Sequence, residues 1–137
     1  MKMKKVRLVF VIVSVVLFEG CASTTYDLKV DPSKMTNNGQ PFYILIKNNS
    51  PSNYLASNYE TVYQDFTDDK VSQKLLVYPQ KGVQTWQIKR ANDRGMSFYF
   101  LFQNMPNSVN WKLYLTPYDQ RDLSVTISRN DNIQRQP

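Results

Sequence analysis

Few residues in this chain can do covalent or acid–base chemistry. Cys21 is the only cysteine among 137 residues, and there is no histidine. Ser-His-Asp and Cys-His nucleophilic sites are therefore excluded, as is any metal site that uses imidazole. Ser-x-x-Lys, the start of a histidine-free serine mechanism, does not occur. Gly39, Gly82 and Gly95 stand singly among turn formers, with no glycine-rich phosphate loop. Two acidic pairs, Asp68-Asp69 and Asp119 with Asp122, have the groups that acid–base catalysis needs. Both fall in expected turns, where solvated carboxylates are ordinary. Asp65, Asp68 and Asp69 offer oxygen ligands for calcium but lack the Asp-x-Asp-x-Asp-Gly spacing. Neither an enzyme nor a metal or small-molecule cofactor is expected.

The chemistry that remains is that of Cys21. Lys2, Lys4, Lys5 and Arg7 form a positive start, followed by an apolar run from Leu8 to Phe18 broken only by Ser14. A membrane-spanning helix needs about 20 apolar residues, so this run is too short to be one. Charge, short apolar stretch and small residue before a cut form the order of a secretory signal peptide over residues 1–20. Gly20 immediately precedes Cys21, as a lipoprotein peptidase requires, although Phe18 and Glu19 fit its recognition site poorly. Cleavage would leave Cys21 as the new N-terminus, carrying covalent lipid. Ala22, rather than Asp, follows it, which points to outer-membrane delivery facing the periplasm. Three acyl chains would anchor firmly, at about 0.8 kcal/mol for each buried CH₂.

Removing residues 1–20 leaves 117 of the 137 residues, enough for one small domain. Of the net charge of +6, the leader holds +3 through four basic residues less Glu19, so +3 remains. The remaining Lys and Arg are scattered, without the basic stripe that a phosphate-binding face needs, and nucleic acid is not an expected partner. Once Cys21 is lipidated no thiol is left for a disulfide, and the domain must hold itself by packing.

After a polar tether over residues 21–25, the pattern turns to strands. Tyr26, Leu28 and Val30 alternate. Residues 31–41 read as a loop rich in turn formers. Phe42 to Lys47 is apolar on both faces, which suggests an inner strand covered on each side. A short helix follows, with Ser57 and Glu60 as its capping box and Tyr59, Val62, Tyr63 and Phe66 as its apolar stripe. Strands are then expected at Lys74–Tyr78, Gln84–Arg90, Ser97–Gln103, Trp111–Thr116 and Leu123–Ser128. The domain is placed at residues 26–130, with a polar tail over 131–137. Seven strands and one short helix predict an all-β sandwich.

In this order the features resemble the TssJ (SciN) family, outer-membrane lipoproteins of type VI secretion systems, in a divergent and IglE-like form. The resemblance rests on the lipidated Cys21, a first strand and a loop, then Leu45-Ile46-Lys47 at a strand end. The aromatic helical stretch of Tyr54 to Phe66 comes next, followed by the turn from Val77 to Gly82. The apolar strand Phe98 to Phe102, Trp111-Lys112 and the closing strand Leu123 to Ile127 complete it. The resemblance implies a transthyretin-like (Ig-like) sandwich, a structural component that recruits the periplasmic domain of an inner-membrane TssM/IcmF-like protein. It also implies that the first loop is the contact, with Lys34, Met35, Asn37 and Asn38 as partner-binding residues. The alternative is a lipid-anchored ligand- or glycan-binding module using exposed aromatics such as Tyr54, Tyr59 and Trp86. A pilotin-like or inhibitor lipoprotein of another envelope system is a third reading.

Overall fold

The computed structural model describes residues 23–68, 73–91, 94–105, 110–119 and 122–137. The expected leader and Cys21 lie outside them. Among the described residues eight strands form two four-stranded sheets. They are β1 (Ser23–Pro32), β2 (Phe42–Asn49), β3 (Gln73–Val77), β4 (Gln84–Ala91), β5 (Gly95–Leu101), β6 (Lys112–Leu115), β7 (Leu123–Ile127) and β8 (Ile133–Gln136). One sheet has the order β4-β1-β7-β8 and the other β3-β2-β5-β6. Pairing is antiparallel except between β1 and β7, where Leu28 lies opposite Leu123 and Pro32 opposite Ile127.

The core between the sheets follows from strand alternation. Leu28 and Val30 of β1, and Leu123, Val125 and Ile127 of β7, point inward from one sheet. Phe42, Ile44 and Ile46 of β2 meet them with Met96, Phe98 and Phe100 of β5. Each such side chain taken fully out of water contributes roughly 1.5–3 kcal/mol. The outer face of the second sheet carries a smaller cluster of Leu45, Val62, Tyr99 and Leu101, with Tyr54, Tyr59, Phe66 and Trp111 packed on it. This second cluster explains why β2 and β5 are apolar on both faces. Sandwich core covers one face and helices cover the other.

Two helices, not one, do that covering: α1 (Pro51–Ala56) and α2 (Tyr59–Thr67). Ser50 caps α1 by accepting from the Asn53 N–H, and Pro51 opens its first turn. The capping box of α2 sits one residue later than the expected Ser57/Glu60 pair. Asn58 Oδ1 accepts from Thr61 N at 2.9 Å, and Thr61 Oγ1 accepts from Asn58 N at 3.4 Å. Ser57 instead closes α1, donating to Tyr54 O at 2.6 Å and accepting from Tyr99 Oη at 3.0 Å.

Two boundaries also move. β1 begins at Ser23, inside the span of residues 21–25 expected as a tether. The expected tail at 131–137 contains β8, whose Ile133 fills the core beside Ile127. β8 is an edge strand, buried only at that residue, so alternation is too weak to mark it in the sequence. Among the described residues no helix is long and apolar enough to cross a membrane.

Candidate partner-binding site

β1 starts at Ser23, two residues after Cys21, and ends at Pro32. At about 3.3 Å per residue the strand carries the chain about 30 Å from its start. The loop between β1 and β2 therefore stands at the end of the sandwich far from Ser23. The β3–β4 and β7–β8 connections share that end, since Val30 pairs with Gln84 at the start of β4 and Pro32 with Ile127 at the end of β7.

The first loop is rigidly built. Asn37, Asn38 and Gly39 take φ of 52°, 53° and 75°, three successive left-handed residues. Asn and Gly adopt that conformation most readily, so Asn-Asn-Gly is the local reason for the turn. Thr36 is buried and donates its hydroxyl to Ile127 O at 3.2 Å or Ser128 O at 3.1 Å. Asn37 is 1% exposed, and its polar atoms all point inward. Its Nδ2 donates to Gln40 O at 3.1 Å and Pro41 O at 3.0 Å, and its Oδ1 accepts from Gln103 N at 2.7 Å. Its own N–H donates to Asp131 Oδ1 at 2.6 Å. The loop is thus tied to the chain after β5 and to the β7–β8 turn.

This geometry divides the four expected contact residues. Lys34, Met35 and Asn38 are exposed. Asn37 is corrected: its side chain is spent inside the protein and cannot face a partner. Sequence reading also missed Asp131, Thr36 and Gln103 as the loop's supports. The Asn-Asn-Gly triplet was the available signal, but the groups it binds lie up to 94 residues away.

Three of the acidic candidates have structural partners. Asp65 pairs with Lys47 at 2.5 Å, and among the described residues no cluster of Asp, Glu, Cys and His could hold a metal ion. Asp122 Oδ1 accepts from Asp27 N at 2.9 Å. Asp119 accepts from Thr116 N at 2.9 Å and sits 3.4 Å from Arg135. Burial pushes the Asp119 carboxyl up, but the Thr116 hydrogen bonds and the Arg135 charge outweigh it and hold it below the usual carboxylate value. Asp69 lies outside the described residues.

The aromatics do not form a ligand platform. Tyr54 and Tyr59 pack on the outer cluster, their hydroxyls donating to Lys112 O at 3.1 Å and Phe102 O at 3.3 Å. Burial raises the pKa of both phenols. Trp86 packs against the other cluster, between the sheets, so the three rings share no groove. Trp111-Lys112 is likewise a structural pair. Trp111 meets Tyr59 and Tyr99, while Lys112 Nζ donates to Tyr54 O and Ser57 O, both at 2.9 Å. A cation there complements the negative end of α1, where these carbonyls gather. Burial lowers the Lys112 pKa.

With this architecture defined, comparison with known proteins decides the family. The model of the IglE N-terminal domain matches residues 43–127, from β2 to β7 and more than half of the chain. The chain belongs to the IglE family. Solved structures share its fold. Lip of Serratia marcescens, described as a membrane-bound component of the type VI secretion system, aligns with TM-score 0.67 at 11% identity. That alignment covers 85% of this chain and 99% of Lip. The type VI lipoprotein TssJ1 of Pseudomonas aeruginosa aligns with TM-score 0.56 at 15% identity, covering 85% of this chain and 98% of TssJ1. A chain of the structure described as the TssM C-terminal domain from EAEC aligns with TM-score 0.63 at 13% identity, covering 82% of this chain and 98% of that one. At such identities the likeness concerns the fold, and the IglE match carries the family. No curated protein matches by sequence. The expected β-sandwich and the divergent, IglE-like form of the TssJ resemblance both agree with these findings.

Proposed function

We propose that this IglE-family protein is an outer-membrane lipoprotein of a type VI secretion membrane complex. Lipid on Cys21 holds it to the membrane, and the sandwich faces the periplasm. Its far end recruits the periplasmic domain of an inner-membrane TssM/IcmF-like protein. The family match carries this reading, on a fold shared with lipoproteins of the same apparatus. The course of β1 supports it: an anchor at one end of a ten-residue strand leaves the first loop facing away from the bilayer. In this reading the protein acts by holding two membranes' components together.

The test is co-purification of the TssM/IcmF-like protein with the lipoprotein from solubilised envelopes. Deleting residues 32–40 is a poor probe, because Pro32 is paired in β1 and Thr36 and Asn37 hold the fold. Lys34→Glu with Met35→Ser changes only exposed side chains. Co-purification by the wild type and its loss in this variant are expected. A wild type that brings down no such protein refutes the reading, and equal recovery by the variant removes the loop from it.

A further inference from the structure

Among the described residues seven large apolar side chains are exposed, and three of them stand at the far end: Met35, Tyr78 and Val83. Only Met35 belongs to the first loop. Tyr78 and Val83 bracket the β3–β4 connection, which is held as firmly as the first. Gln84 Oε1 accepts from Tyr78 N at 3.0 Å, and Gln84 Nε2 donates to Tyr78 O at 2.8 Å and Gly82 O at 3.0 Å. Pro79 is buried beneath it. The two loops are joined directly, since Gln80 Nε2 donates to Lys34 O at 2.9 Å.

The charges at this end are unbalanced. Lys34, Lys81 and Arg129 are exposed, and none makes an ion pair with a described residue. Lys81 Nζ lies 4.4 Å from the Tyr78 ring centroid, which keeps the cation beside the aromatic face. Arg129 sits on the β7–β8 turn, whose Ser128 O accepts from Thr36. Of the two acidic residues there, Asp131 is engaged by Asn37 N and Asp31 is exposed. β1 lies between β4 and β7, so cations flank the first loop on both sides.

We infer that the docking surface is composite: residues 33–40 and 78–83, with Arg129, bind an acidic protein segment whose apolar side chains seat among Met35, Tyr78 and Val83. This rests on the proposed recruitment and names the chemistry of the partner's contact. The two loops are prearranged, so little ordering cost accompanies binding. Three cations around an apolar centre match the usual division of an interface, where buried apolar anchors hold and rim charges steer.

The experiment measures affinity of the full lipidated protein, in detergent micelles, for the purified periplasmic domain of the same bacterium's TssM/IcmF-like protein. Lys81→Glu with Val83→Ser should weaken binding at least about tenfold, comparable to Lys34→Glu with Met35→Ser. Lys89→Glu, on exposed β4 sequence away from this end, serves as the control and should bind as wild type does. Raising salt from about 50 to about 300 mM should slow association of wild type, and much less that of the Lys81→Glu variant. Equal melting temperatures would show that the variants are folded. If the first-loop variant loses binding and the Lys81→Glu, Val83→Ser variant stays within about twofold of wild type, the composite surface is wrong and recruitment stands. If the wild type itself does not bind the domain, recruitment fails and the inference with it.

Discussion

Asn37→Ala tests the view that this residue is a pin and not a contact. The substitution removes two hydrogen bonds donated by Nδ2 and one accepted by Oδ1. A net hydrogen bond contributes about 1 kcal/mol, so the three together contribute about 3 kcal/mol. Alanine at φ of 52° adds a backbone cost of about 1 kcal/mol, because it lacks the short polar side chain whose local hydrogen bonds let asparagine offset the left-handed strain. Gln40 and Gln103 are exposed residues, so water recovers part of the loss at their backbone groups. The expected cost is therefore about 3 kcal/mol, a large share of the roughly 5–15 kcal/mol that holds a small domain. Urea unfolding followed by tryptophan fluorescence measures it as a lower midpoint at unchanged slope. Asn37→Asp should recover part of the loss, since it keeps the acceptor for Gln103 N, but it adds a charge near Asp131. A cost below about 1 kcal/mol for Asn37→Ala would refute the reasoning, because the buried bonds would then contribute nothing net.

Other perturbations follow from single features. Gly95→Ala places a Cβ 1.9 Å from Tyr114 Oη and 2.9 Å from Leu115 O, and the backbone carbonyl cannot swing aside. A destabilisation above about 2 kcal/mol is expected in a thermal melt, and a melt like wild type would contradict the close approach. Asp119 has a folded-state pKa below its ordinary value, so its contribution is present above that ordinary value and lost as pH falls through the depressed one. The stability gap between wild type and Asp119→Asn should narrow from about pH 5 to about pH 3, and a constant gap would argue against it. Asp65→Asn should cost at most about 1 kcal/mol, because both partners of the Lys47 pair are partly in water. Cys21→Ser should abolish incorporation of labelled acyl chains and release the protein from membranes. Retained label would rule out Cys21 as the attachment point.

Much of the fold was written in local pattern. Leu123, Val125 and Ile127 alternate with polar residues, and β7 buries those three. Phe98 to Phe102 is an unbroken run of aromatic and aliphatic side chains, and β5 is buried along its whole length. The two-faced apolar sequence of β2 was a correct sign of a layer on each side. α1 was harder to see, as a six-residue helix with no buried residue has no stripe to show. Its Ser50-Pro51 start was the only local cue.

The candidate site was legible in outline alone. Its position in the first loop came from a family order of features, and its exposed members Lys34 and Met35 are of types that suit contact. The role of Asn37 was not readable. An asparagine in a loop has the same local appearance whether it faces water or accepts from a backbone amide 66 residues away.

The sequence by itself determined the absence of histidine, the presence of a single cysteine, and the alternation that makes strands. These are properties of residue type and of spacing along one segment. Only the tertiary structure decided which polar residues are spent internally, that residues 133–136 complete a sheet, and that two distant loops share one surface. The physical reason is that burial and hydrogen bonding depend on neighbours in space. A polar side chain joins the architecture or the surface according to what chain closure brings within about 3 Å of it.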